Sequence, residues 1–235
     1  MKILLSLVLV LNISSISANE YEELELQYEE KFYSISEVSV KEVTPSSEVL
    51  SSYQLVADNK SVGAAIMTAQ KLLAFGKQIW AIIEKGRPVV NVSNMQSVSV
   101  LPKVDGQDID TFDLANWNAP RVRSYRVEYK NGFNMTVIAF TYNVIFQYGG
   151  DFDGKGKYLT GVNVTASNVR VAWGFNFNAS TKLVSISNSG SKLSPVASAV
   201  LEINYRAKSV MKDISSKRAF YVTGAGELKK LYRDY

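Results

Sequence analysis

The chain reads as a mainly β protein: an antiparallel β-sandwich or barrel-like fold with one long amphipathic helix, about residues 61–85, packed on it. Three observations carry that expectation. From Pro88 onward apolar residues recur with period two, Gly- and Asn-containing turns separate the runs, and a single strong helical repeat, Val62 to Lys85, precedes them.

The first segment has a different purpose. Lys2, the apolar run Ile3 to Leu11 and the small residues Ser14 to Ala18 have the layout of a secretory signal peptide, cut near Ala18. The apolar run is about half of the ~20 residues that a spanning helix needs. Residues 1–18 are therefore expected to be removed, leaving an exported protein, periplasmic or secreted.

Residues 19–48 form an acidic N-terminal arm, with nine acidic and two basic side chains. A charge run of this kind reads as a solvated lead-in. It allows a short helix over 19–33 and a strand over Ser36 to Val43, stopping near Pro45. Residues 49–235 carry 13 acidic and 23 basic side chains and read as a single β-rich domain. Ser52 to Ala57 adds a further strand.

In the 61–85 helix, Val62, Ala65, Ala69, Leu72, Trp80 and Ile83 fall on one stripe. Lys85-Gly86-Arg87-Pro88 ends it with a basic last turn, a C-terminal glycine and a proline. Covering a sheet is the expected role. The alternative is a membrane-active helix, for which the two lysines of its body, Lys71 and Lys77, are few.

Val89 to Val92 and Met95 to Leu101 then read as strands, and Pro102 to Pro120 as a long acidic loop. Tyr125, Val127 and Tyr129 alternate with charged residues up to Asn131-Gly132, a favoured two-residue hairpin turn. The return run from Phe133 to Tyr148 would span ~53 Å if fully extended, which calls for a bulge or a bend. Gly149 to Gly156 reads as a loop and Leu159 to Thr165 as a strand. Val169 to Phe177 reads as one half-buried strand with Trp173 in its core phase. Leu183 to Ser187, Ala199 to Tyr205 and Ala219 to Thr223 complete the set.

The composition narrows the chemistry. The chain has neither cysteine nor histidine, so thiol nucleophiles, imidazole bases, disulfides and soft metal sites are excluded. An exported chain of 235 residues without cysteine fits a bacterial envelope better than an animal secretory pathway. Ser209-Val210-Met211-Lys212 matches the spacing of an acylating serine but follows a strand pattern and lacks the partner motifs. Gly154-Lys155-Gly156-Lys157 lacks the Ser/Thr of a phosphate loop. No dense basic cluster with interleaved aromatics is present, so nucleic acid is not an expected partner.

Two constellations stay open. Asp151-x-Asp153-Gly154 resembles the start of an oxygen-ligand calcium loop, and Asp105 and Asp108 could complete a structural calcium site from a neighbouring loop. No other cofactor is expected. Trp117, in Asn116-Trp117-Asn118, and Tyr148 are candidate ligand-binding aromatics, since flat rings stack on sugars. The order of an amphipathic helix before a β-rich body loosely resembles small β-sandwich pore-formers such as actinoporins. That family's dense cluster of exposed aromatics is not evident in the sequence, and no residue role is carried over.

The leading expectation is an exported bacterial, non-enzymatic β-sandwich binding or structural protein of the cell envelope. Its partner would be an envelope polymer, a carbohydrate or a protein, with peripheral membrane contact as a further option. One alternative is a membrane-active or pore-forming-like β-protein. Another is a carboxylate-based hydrolase of envelope polysaccharide, which needs only two suitably spaced carboxylates.

Overall fold

A computed structural model describes residues 18–47, 49, 90–93 and 95–232. The expected signal peptide up to residue 17, the strand at 52–57 and the helix at 61–85 lie outside the described residues.

The chain opens with a helix, α1 (Ala18–Tyr33), followed by β1 (Glu37–Val43). Next come β2 (Val90–Ser93), β3 (Val98–Val100) and a small hairpin of β4 (Lys103–Val104) and β5 (Gln107–Asp108). A single 3-10 turn, Thr111–Asp113, leads to β6 (Arg121–Lys130), β7 (Thr136–Phe152) and β8 (Lys155–Val171). The chain then continues through β9 (Asn176–Asn188), β10 (Ala197–Lys208), β11 (Asp213–Thr223) and β12 (Leu228–Lys230). Among the described residues no helix is long and apolar enough to cross a membrane.

Two five-stranded sheets result, ordered β1-β6-β7-β8-β3 and β12-β11-β10-β9-β2. Each is built on a meander, β6-β7-β8 and β9-β10-β11, and every pairing is antiparallel except β2 with β9. The protein is thus mainly β with antiparallel sheets, as its periodicity predicts. The barrel alternative fails, because the described strands form two separate sheets, one ending in β1 and β3 and the other in β12 and β2.

Period-two patterning explains the core. Tyr125, Val127 and Tyr129 of β6 and Phe140, Tyr142, Val144 and Phe146 of β7 are all buried on one face of the first sheet. Phe177, Leu201, Ile203, Tyr205 and Phe220 come from the second sheet into the same cluster. Aromatic contacts join the layers: Phe140 lies 4.5 Å from Phe177 and 5.1 Å from Tyr205, and Tyr125 lies 5.4 Å from Phe220, centroid to centroid. Such pairs add about 0.5–1.5 kcal/mol each beyond area burial.

The excess length of the β7–β8 hairpin is absorbed by bulges. Its register slips between Ala139 and Thr141 and between Ile145 and Gln147. Asn168 (φ 51°) and Gly161 (φ 62°) occupy those slips on β8. Part of the opposite face of this sheet is polar yet buried: Ser124 donates to Asn143 Oδ1 at 2.6 Å, and Asn143 Nδ2 donates to Ser167 at 3.2 Å.

Three sequence expectations are corrected. Gly149 to Gly156 is not a loop, since β7 and β8 run through it and turn only at Asp153-Gly154, with φ of 51° and 71°. Asn131-Gly132 is not a two-residue turn either. The β6–β7 connection is five residues long, with the positive φ (60°) at Asn134, because the Asn131 side chain is engaged elsewhere. Finally, Val169 to Phe177 is two strands in different sheets, broken at Ala172–Phe175, where Gly174 takes φ 82°.

Candidate functional site

One end of the two sheets gathers three connections: residues 131–135 (β6–β7), 172–175 (β8–β9) and 209–212 (β10–β11). All three are fastened to the last turn of α1. A helix ends with carbonyls that have no partner of their own, and here the loops supply partners. Lys31 O accepts from Gly132 N at 2.9 Å, Phe32 O from Asn131 Nδ2 at 3.1 Å, and Tyr33 O from Ser209 Oγ at 2.6 Å. Aromatic packing follows the same route, with Tyr28 5.0 Å from Phe133, and Phe32 and Tyr33 each 6.1 Å from Phe175. A β-carbon on Gly174 would lie 2.3 Å from the Tyr33 ring, so only glycine allows this approach. Burial, with Glu29 adding to it, raises the Tyr33 phenol above its ordinary pKa.

Each loop also carries hydrogen bonds of its own. Asn131 is fully buried, and its Oδ1 accepts from Phe133 N at 3.0 Å and Met135 N at 3.1 Å. Ser209 Oγ accepts from Met211 N at 3.2 Å and Lys212 N at 3.0 Å, while Ser209 N donates to Lys212 O at 2.8 Å. The Ser-x-x-Lys spacing is therefore a hairpin turn, with its hydroxyl spent on capping. In the third loop Phe175 N donates to Ala172 O at 3.2 Å, and Ala172 N ties to Val137 O at 2.7 Å.

With their backbones so fixed, the loops turn apolar side chains outward. Trp173 is 82% exposed, Val210 80% and Met211 51%, and Phe133, Met135 and Tyr28 are exposed beside them. Exposed apolar residues scattered singly are ordinary, whereas a cluster on one end marks an interaction surface. Trp173 was expected in the core and is instead the most exposed aromatic side chain at this end. Its alternation with Val171 and Phe175 continues across the turn because both flanking strands face the same core. Gly174 within the run was the available signal of a break.

The sequence-predicted candidates lie toward the other end. Trp117 is half-buried: its indole lies on Gly150, where a β-carbon would come within 2.5 Å, and its Nε1 donates to Thr111 O at 3.3 Å. Tyr148 is half-buried under the Arg121 guanidinium, 5.2 Å from the ring centroid, and that arginine also donates to Gly226 O. Asn118 N donates to Tyr148 O at 2.9 Å, so the Trp117 loop and Tyr148 are neighbours, both engaged in closing this end of the core.

Asp151 spends one carboxylate oxygen on Gly154 N (2.8 Å) and the other on Asn116 Nδ2 (2.6 Å). Asp105 and Asp153 each begin an Asp-Gly turn, and Asp108 is paired with Lys103 at 2.8 Å. Among the described residues no three acidic side chains converge as a metal site.

No family model, curated protein or solved structure matches this chain. Its own geometry is what bears on function. A concavity of about 390 Å³ opens on the outer face of the first sheet between Arg126 and Arg170. Arg126 is drawn to Glu128 (3.3 Å) and to Asn168 O (3.5 Å), while the exposed Arg170 has no carboxylate at ion-pair distance among the described residues.

Proposed function

We propose that this chain is an exported, non-enzymatic β-sandwich binding protein of the bacterial envelope, whose binding surface is the loop end bearing Trp173. One observation carries the reading: Trp173, Val210, Met211 and Met135 are held outward on three loops fastened to the last turn of α1, two by hydrogen bonds and the third by ring packing of Phe175. Ordering costs are already met in such a surface, so binding loses little entropy. The absence of histidine and cysteine, and the capping role of Ser209, favour a binding role over catalysis.

The test is retention on fractionated bacterial envelope, comparing the mature chain with a Trp173→Ala/Val210→Ser/Met211→Ser variant. Retention that the variant loses, at an unchanged melting temperature, supports the reading. Equal retention of the two proteins, or none by either, overturns it.

A further inference from the structure

We propose that the Trp173 end docks on the surface of a lipid bilayer, an inference that rests on the binding surface proposed above and names its ligand. Shape is the first argument. The apolar groups sit on separate protruding tips, with Trp173 and Val210 more than three-quarters exposed. Protein hot spots are typically buried in fitted pockets, whereas a bilayer interface accepts several tips at once and favours tryptophan.

Backbone chemistry is the second argument. A loop that enters the interface loses water from its N–H and C=O groups, which must then find partners within the protein. These tips meet most of that demand at their flanks. Asn131 receives the Phe133 and Met135 amides, Ser209 receives those of Met211 and Lys212, and Ala172 O receives that of Phe175. The amides that flank the tips therefore keep their partners on insertion, while the apex amides of Trp173, Gly174 and Val210 stay at the level of the lipid headgroups.

Flanking charge is the third. Lys208 and Lys212 bracket Val210-Met211, and Lys31 lies on the helix end that holds the loops. All three are exposed, and none has a carboxylate at ion-pair distance among the described residues. Lysines so placed extend their ammonium groups to lipid phosphates while their stems stay among apolar atoms. Two carboxylates at this end are already paired, Asp213 with Arg206 and Glu37 with Lys130. Exposed Glu29 and Glu30 offset part of the positive charge. Apolar insertion therefore dominates, and anionic lipid strengthens it.

The experiment is vesicle flotation of the full mature chain with phosphatidylcholine alone and with phosphatidylcholine plus phosphatidylglycerol. Binding to both is expected, tighter with the anionic lipid. Trp173→Ala should weaken it roughly tenfold, as should Val210→Ser/Met211→Ser. Lys208→Gln and Lys212→Gln should each cost about fivefold, on the anionic vesicles only. Leu193→Ser, at a 90% exposed position in the β9–β10 connection at the opposite end, should change nothing. Failure of the wild type to float with either vesicle overturns the inference, as does flotation that the Trp173 and Val210/Met211 variants retain. If envelope retention still depends on the loop end while vesicles do not bind, the bilayer falls as ligand and the binding surface stands.

Discussion

Asn131 joins the fold to its loop end, and replacing it with alanine gives the sharpest test of how that end is held. The side chain makes three hydrogen bonds: Nδ2 to Phe32 O at 3.1 Å, and Oδ1 from Phe133 N at 3.0 Å and Met135 N at 3.1 Å. Each is worth about 1 kcal/mol net, and a buried group left unpaired costs more. Asn131 itself is buried, but its partners Phe133 and Met135 are exposed, so water can replace some of what their amides lose. Asn131→Ala should therefore destabilise by about 2–3 kcal/mol, or lower Tm by roughly 5–10 °C in a chain of this size. Asn131→Asp keeps both acceptor bonds but sets a negative charge against the helix C-terminus, so it should cost about 1–2 kcal/mol. Urea unfolding followed by circular dichroism measures both. Hydrogen exchange should show the β6–β7 loop opening in the alanine variant. A loss below about 0.5 kcal/mol with unchanged exchange would refute the claim that this amide holds the loop end together.

Three further outcomes follow from other parts of the molecule. Gly150→Ala places a methyl group within 2.5 Å of the Trp117 indole, so a cost of about 1–3 kcal/mol is expected. A double variant with Trp117→Ala should recover part of that cost in thermal melts, and strict additivity would contradict the packing. Burial would raise the Glu202 pKa, but hydrogen bonds from Lys217, Asn204 and Lys182 outweigh it and hold the group at about 2. Its folded pKa thus lies below its unfolded value, so its stabilisation is complete above about pH 4.5 and lost as pH falls toward 2. After screening by solvent around the exposed lysines this amounts to about 1 kcal/mol, and Glu202→Gln should flatten the acid limb of the stability profile. With the Asp151 oxygens occupied and Asp108 paired, calcium and chelator should give the same melting temperature; a calcium-dependent rise abolished by Asp151→Ala and Asp153→Ala would restore the metal site.

What the sequence disclosed and what it hid have the same physical origin. Alternation reports which side of the pleat a residue occupies, and it places Tyr125, Phe140, Tyr142 and Leu201 in the core because a strand has two faces and the core takes one. It cannot report what covers the other face, where the structure buries Ser124, Asn143 and Thr165. Turn chemistry is similarly local. Asp105-Gly106 and Asp153-Gly154 adopt two-residue turns, whereas Asn131-Gly132, the stronger signal, is diverted because its amide meets a helix end about a hundred residues away in the chain. The loop end is the extreme case. Its anchors, Asn131, Gly174 and Ser209, come from three separate hairpins or crossovers and meet only through α1, so no window of sequence contains them together. Trp173 was concealed by geometry rather than by weak signal. A four-residue crossover between two strands facing one core restores the same phase on its far side, so its apex residue carries a core pattern while pointing away from the core. An aromatic residue beside a glycine in the middle of a long alternating run therefore marks a sheet-to-sheet crossover as readily as a core strand, and at a crossover the aromatic is free to serve as a contact.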